Sequence, residues 1–191
     1  MDGKYSYSYE ADVLKIKLKI AVENANYFKQ RGISLEGKRV LDVGFGLGYN
    51  ASIMKRLGAE VFGVEPNKDD FDFAVSNNLI DKDKAFNCLL QDIPQELLGT
   101  FDVATVFLYN INFNEREAFA QTLSQVIKPD GITIIGISDE IYISGDDYQE
   151  PVSASIGRFF NSLQSTRCNY NIANRFFITA SEPKIIDKRL W

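Results

Sequence analysis

Residues 11 to 31 carry two hydrophobic periods at once. "LKIKLKIAV" alternates strictly, with apolar residues at 14, 16, 18, 20 and 22, which is the spacing of a strand. Leu14, Leu18, Ala21, Val22, Ala25 and Phe28 also fall on one helical stripe, and that pattern runs longer. Gly32 stands where such a helix would stop. The longer pattern predicts a helix resting on that stripe, with Ile16, Ile20 and Tyr27 on its other side available to a second contact.

From Lys38 onward, short apolar runs of strand length alternate with helical segments. "RVLDV" predicts a strand and "YNASIMKRLG" a helix, with Ile53, Met54 and Leu57 turned inward. "AEVFGVE" predicts a strand, "NKDDFDFAVSNN" a helix, "KAFNCLLQD" a strand and "PQELLG" a short helix. "FDVATVFLYN" is a strongly apolar strand. "NEREAFAQTLSQVI" reads as a helix capped by Asn114, with Glu117 three residues on and Phe119, Leu123, Val126 and Ile127 facing inward. Pro129 is expected to end it, and "GITIIGIS" to follow as a strand. Continuous apolar strands alternating with helices imply a parallel sheet covered on both faces. The tail changes character: "SASIGRFFNSL" predicts a helix, and "TRCNYNI" and "RFFITAS" two strands of a hairpin at a sheet edge. Without a repeat, a low-complexity segment or a linker, residues 1–191 read as one domain.

Composition narrows the chemistry. The chain is 45% hydrophobic and 25% charged, as in ordinary globular proteins, and its length suits one domain. The net charge of −5 disfavours a broad nucleic-acid surface. No apolar run approaches the roughly 18 residues of a membrane span. The polar, acidic N-terminus lacks a signal-peptide core, so the cytosol is the expected location. Cys88 and Cys168 lie far apart, outside any CxxC or Cys/His cluster, which argues against a zinc site or a disulfide framework. With no histidine anywhere, a Ser-His-Asp or Cys-His machine is excluded. Proton transfer, where needed, falls to Asp, Glu, Tyr, Lys or a thiol.

The candidate chemistry sits in "RVLDVGFGLGYN", residues 39 to 50, where Gly44, Gly46 and Gly48 follow a predicted strand and open a helix. Glycines there allow positive φ and let a ligand approach the backbone closely. The dinucleotide fingerprint needs a glycine three residues past Gly46, where Tyr49 stands. A P-loop needs Lys followed by Ser or Thr, and Tyr49-Asn50 is neither. Asp42 would also repel a phosphate.

The remaining pattern, D-x-G-x-G-x-G in "VLDVGFGLG", resembles motif I of the class I S-adenosylmethionine-dependent methyltransferases. Glu65 in "VFGVEPN" matches the family's acidic side chain for the ribose hydroxyls, and Asp92 in "LLQDIP" the acidic residue near the adenine amino group. "IKPDGITII" is similar to the family's Leu-Lys-Pro-Gly-Gly turn, with Asp130 in place of the first glycine. The likeness covers roughly residues 36 to 140. It implies a Rossmann-like, doubly wound, mostly parallel seven-stranded α/β sheet with a C-terminal antiparallel hairpin and an N-terminal helix. The parts would be an N-terminal helix and lid region (1–35), a cofactor-binding core (36–140) and a C-terminal helix and hairpin (141–191). The cofactor implied is S-adenosyl-L-methionine, with Asp42, Gly44, Gly46, Gly48, Glu65, Asp92 and Ile93 around it and no metal. One carboxylate can accept hydrogen bonds from both ribose hydroxyls. Asp42 suits the cationic methionine end, while Phe45 and Leu47 read as packing residues.

The acceptor is less legible. "LYNINFN" lacks N/D-P-P-Y and the double glutamate of arginine methyltransferases, and Phe107 and Gly136 stand where metal-dependent catechol-type enzymes would want carboxylates. Tyr109, Asn110 and Asn112 stand where the family faces its acceptor, the first two being candidate catalytic residues. Asp139 and Glu140 are further candidate bases. Tyr5, Tyr7 and Tyr9 suggest a substrate lid, and the acidic run at 138–151 a second acceptor contact. The reading is methyl transfer to a small molecule or a protein side chain. A non-catalytic binder of the cofactor or its demethylated product, acting as sensor or scaffold, and an RNA methyltransferase are the alternatives.

Overall fold

A computed structural model of the protein describes residues 11–107, 116–138, 157–169 and 174–184. The described residues begin with helix α1 (Ala11–Gln30) and enter strand β1 (Arg39–Val43). Then come α2 (Tyr49–Arg56), β2 (Glu60–Val64), α3 (Lys68–Ser76) and the two-residue β3 (Ala85–Phe86). The second half is β4 (Phe101–Val106), α4 (Arg116–Val126), β5 (Ile127–Ser138), β6 (Phe160–Asn169) and β7 (Asn174–Pro183). Among the described residues, seven strands make one sheet in the order β3-β2-β1-β4-β5-β7-β6. β1 to β5 pair in parallel, whereas β7 runs antiparallel to both β5 and β6. This is the expected doubly wound architecture with its closing hairpin.

Alternate strand residues feed two cores. Leu41, Val43, Ala104 and Val106 pack with Phe119, Leu123 and Val126 of α4 on one face. Val40, Val61, Val103 and Ile134 pack with Tyr27 and Phe28 of α1, Met54 of α2 and Ala74 of α3 on the other. The strand order reverses between β1 and β4, and the carboxyl ends of these strands form the crevice where such sheets bind ligands.

Several local expectations are corrected. α1 forms, but the face it buries is Ile20, Ala21, Asn24, Tyr27 and Phe28, while Leu18 and Val22 are exposed. Three specific contacts set that rotation. The Tyr27 ring stacks on Phe177 at 4.1 Å with its hydroxyl 2.9 Å from Thr179 Oγ1, and Asn24 donates to Asn50 at 3.0 Å. In α2, Ala51 and Met54 are the buried residues and Leu57 lies outside. "KAFNCLLQD" keeps only two strand residues. At Asn87 the side chain donates to the Glu65 and Pro66 carbonyls, and a 3-10 turn follows at Leu90–Asp92. "PQELLG" is likewise a 3-10 turn, Gln95–Leu97. α4 buries Phe119, Leu123 and Val126 as expected, but it ends at Val126, and Pro129 lies inside β5. The tail helix is replaced from Phe160 onward by β6, whose Phe160 is buried and pairs with Pro183. Asn114 lies outside the described residues.

Candidate functional site

The loop after β1 is held from below by the end of β2. Gly44 N–H donates to the Val64 carbonyl at 2.8 Å, extending the strand pairing by one residue. Gly46 N–H donates to Glu65 Oε2 and Asn67 N–H to Oε1, each at 2.8 Å. One carboxylate therefore ties the glycine loop to the turn after β2, and each oxygen keeps a lone pair for a further donor. Burial raises the Glu65 pKa, opposed by these two N–H groups; Asp70 pushes it further up and Lys17 pulls it down. Asn67, the N-cap of α3, also accepts from Asp69 and Asp70 N–H, so the turn is fixed independently of the carboxylate.

The glycines divide their work. At Gly46, with φ +54°, a Cβ would meet nothing within 4 Å, so the backbone faces open space. At Gly48, with φ +81°, a Cβ would lie 2.9 Å from Ala74 Cβ, and its absence brings the start of α2 against α3. Phe45 and Leu47 between them are buried packing residues, as expected.

Asp42 lies beneath the loop, 1% exposed. Thr105 of β4 donates its hydroxyl to Oδ1 at 2.9 Å, whereas Oδ2 is buried without a partner. Burial pushes its pKa up to about 7; the Thr105 hydrogen bond opposes the rise and the charge of Glu65 adds to it. An ionised Asp42 lacks a counter-charge, so the site favours a cation.

Asp42, Gly44, Gly46, Gly48 and Glu65 are thus brought together. Asp92 is exposed at the end of the 3-10 turn, six residues past β3, where its charge adds to burial in raising the Cys88 thiol pKa. Ile93 is committed to the core with Leu90 and Leu97, and its N–H donates to the Leu90 carbonyl at 3.2 Å. Tyr109, Asn110, Asn112, Asp139, Glu140, the tyrosines at 5, 7 and 9 and nearly all of the run at 138–151 lie outside the described residues.

Sequence reasoning missed Thr105, Asn67, Asn87 and the part played by α1. Thr105 is the one polar residue in "VATVF", a signal for a buried hydrogen bond, and Asn67 ahead of two aspartates is a helix-capping signal. α1 has no such signature. It passes the glycine loop at Asn24, and Lys17, about 10 Å earlier along the helix axis, acts on Glu65.

These residues fit an adenosyl-methionine group. The open cradle at Gly46 admits a close approach, Glu65 has lone pairs left for a diol, and the unpartnered Asp42 Oδ2 matches a cation. Residues 41–135 match the family model described as "Methyltransferase domain". The ubiquinone biosynthesis O-methyltransferase of Bos taurus mitochondria is 31% identical over 135 residues, which cover 66% of this chain and 36% of that protein. The Chromobacterium violaceum protein named ubiquinone biosynthesis O-methyltransferase is 32% identical over 110 residues, 54% of this chain and 46% of that protein. The chain thus spans less than half the length of these relatives. Among solved structures, magnesium protoporphyrin IX methyltransferase from Synechocystis PCC 6803, with S-adenosylmethionine bound, superposes with TM-score 0.63 at 15% identity, covering 93% of this chain and 87% of that one. The PH0226 protein of Pyrococcus horikoshii OT3 gives TM-score 0.66 at 15% identity, covering 92% and 93%; both show the shared fold. By its domain, its motif and its sheet order, the chain belongs to the class I S-adenosylmethionine-dependent methyltransferases.

Proposed function

We propose that this protein transfers a methyl group from S-adenosylmethionine to a hydroxyl of a small molecule. The observation that carries the donor half is the Glu65 clamp: one carboxylate holding two backbone N–H groups beside an open glycine. Glu65 receives the ribose hydroxyls, Gly46 lets the cofactor lie against the backbone, and Asp42 faces its cationic methionine end. Asp92 is assigned to the adenine side, reached from its exposed turn. When bound, the cofactor supplies a sulfonium methyl open to displacement by an acceptor lone pair. The residues of this chain orient the donor over the carboxyl ends of β1 and β4; such positioning contributes up to about 7–11 kcal/mol of a barrier. The acceptor half rests on the relatives, which are named O-methyltransferases. A non-catalytic binder and an RNA enzyme are not favoured by those relatives. The reading includes a reducing compartment, supported by two widely spaced cysteines. Among the described residues no helix is long and apolar enough to cross a membrane.

The test is calorimetric titration with S-adenosylmethionine, S-adenosylhomocysteine, NAD and ATP, followed by transfer of labelled methyl to a panel of hydroxylated and aminated small molecules. Binding of the first two only, with label in the hydroxyl compounds, is expected. Binding of NAD alone refutes the donor assignment, and label confined to amines refutes the acceptor.

A further inference from the structure

Ile16, Ile20, Glu23 and Tyr27 are spaced four, three and four residues apart, so they share one face of α1. Tyr27 anchors this face to the sheet: its ring stacks on Phe177 of β7, which pairs with Gly136 of β5. α1 then leads through Leu35 to the amino end of β1, so it runs antiparallel to the parallel strands. Four residues before Tyr27, about 6 Å along the helix axis, Glu23 reaches the level of the carboxyl end of β5. Phe107, at the carboxyl end of β4, borders the same place: its ring lies 6.3 Å from those of Phe28 and Phe177. Gly136 makes room for it, since a Cβ there would come 2.9 Å from the Phe107 ring.

Glu23 Oε2 is buried and has no hydrogen-bond partner. Buried carboxylate oxygens are ordinarily satisfied, and an unsatisfied one beside a ligand crevice calls for a missing donor. Glu65 and Asp42 already serve the glycine loop on the β1–β2 side. Glu23 precedes Asn24, whose side chain reaches Asn50 at the start of α2, and it shares its helix face with the exposed Ile16 and the buried Ile20.

We infer that Glu23 is the acceptor-side carboxylate, accepting a hydrogen bond from a hydroxyl of a compact, largely apolar methyl acceptor whose body lies against Phe107. This rests on the proposed O-methyl transfer for the acceptor's hydroxyl, but not for the oxygen's need of a donor. The binding partner is a neutral hydroxyl compound, because an anionic one would be repelled by Glu23.

The experiment compares binding of 4-methylcatechol and of its donor-free analogue, 3,4-dimethoxytoluene, to the complex of the protein with S-adenosylhomocysteine. Wild type and Glu23→Met are measured, with product affinity and thermal stability recorded for each. Wild type is expected to prefer the catechol by about tenfold or more, as for a hydrogen bond to a charged group. Glu23→Met, which fills a similar volume without an acceptor, is expected to lose that preference while keeping its product affinity and without loss of stability. The inference is overturned if wild type shows no preference or if the variant retains it. A fall in product affinity reassigns Glu23 to the cofactor's ammonium, and a loss of stability makes it structural; either overturns the inference. Wild-type binding of the catechol without methyl transfer sinks the proposed function and leaves Glu23 standing.

Discussion

Replacing Asp42 with Asn tests the physical account of the cofactor loop without any ligand. The side chain is buried, its Oδ1 is satisfied by Thr105 and its Oδ2 by nothing. Asn keeps the shape and the acceptor for Thr105 and removes the titration. The carboxyl's rise from 3.8 to about 7 corresponds to about 4 kcal/mol at 1.36 kcal/mol per pH unit. The sign follows from proton counting. Between the two values the folded protein holds a proton that the unfolded chain has released, so folding stability falls as pH rises. The wild type carries none of this cost below about pH 3.8, and all of it above about pH 7. Urea unfolding of wild type and Asp42→Asn from about pH 4 to pH 8 isolates the contribution, because other groups cancel in the difference. Asp42→Asn should gain on the wild type by up to about 4 kcal/mol across that window and then level off. A difference that stays constant with pH, within about 0.5 kcal/mol, refutes the argument.

Binding of a cationic cofactor should draw the proton off Asp42, so wild-type affinity rises with pH up to about 7 and the rise disappears in Asp42→Asn; titration calorimetry in two buffers reads the released proton. Glu65→Ala removes the acceptor for Gly46 and Asn67 N–H, and should cost cofactor affinity at least about tenfold and stability about 1–3 kcal/mol; unchanged affinity removes Glu65 from the site. Gly48→Ala sets a Cβ 2.9 Å from Ala74 Cβ at φ +81°, which should destabilise by about 1–3 kcal/mol in urea unfolding. Tyr27→Phe keeps the stack on Phe177 and loses the bond to Thr179, for an expected loss of about 1 kcal/mol in thermal or chemical melts.

The parallel core was legible because its strands are buried on both sides and read as unbroken apolar runs between punctuating glycines. The loop residues at 42, 44, 46 and 48 were legible because a short turn fixes their relations locally, and Glu65 because it stands at the end of the neighbouring parallel strand. What escaped depends on distant partners. The rotation of α1 is set by Phe177 and Asn50, far along the chain, so its own two periods could not decide which side lies inward. β3 stops where Asn87 turns its side chain to the β2 backbone, an event no propensity of "KAFNCLLQD" encodes. β6 is recruited by pairing with β7, which overrides the helical pattern around Phe160. Glu23 had no signature because the burial of its unpartnered oxygen is a product of the folded packing alone.

The order β5-β7-β6 has a consequence for how the chain is assembled during synthesis. Among the described residues, β6 pairs with the sheet only through β7, which is made after it. Until Asn174–Pro183 has emerged, β5 offers a bare, apolar edge of the kind that pairs with other chains. β6, already made, has nowhere to dock. β7 therefore closes the sheet and recruits β6 in one step, and a ribosome that stalls just before it leaves the β5 edge exposed in an aggregation-prone form.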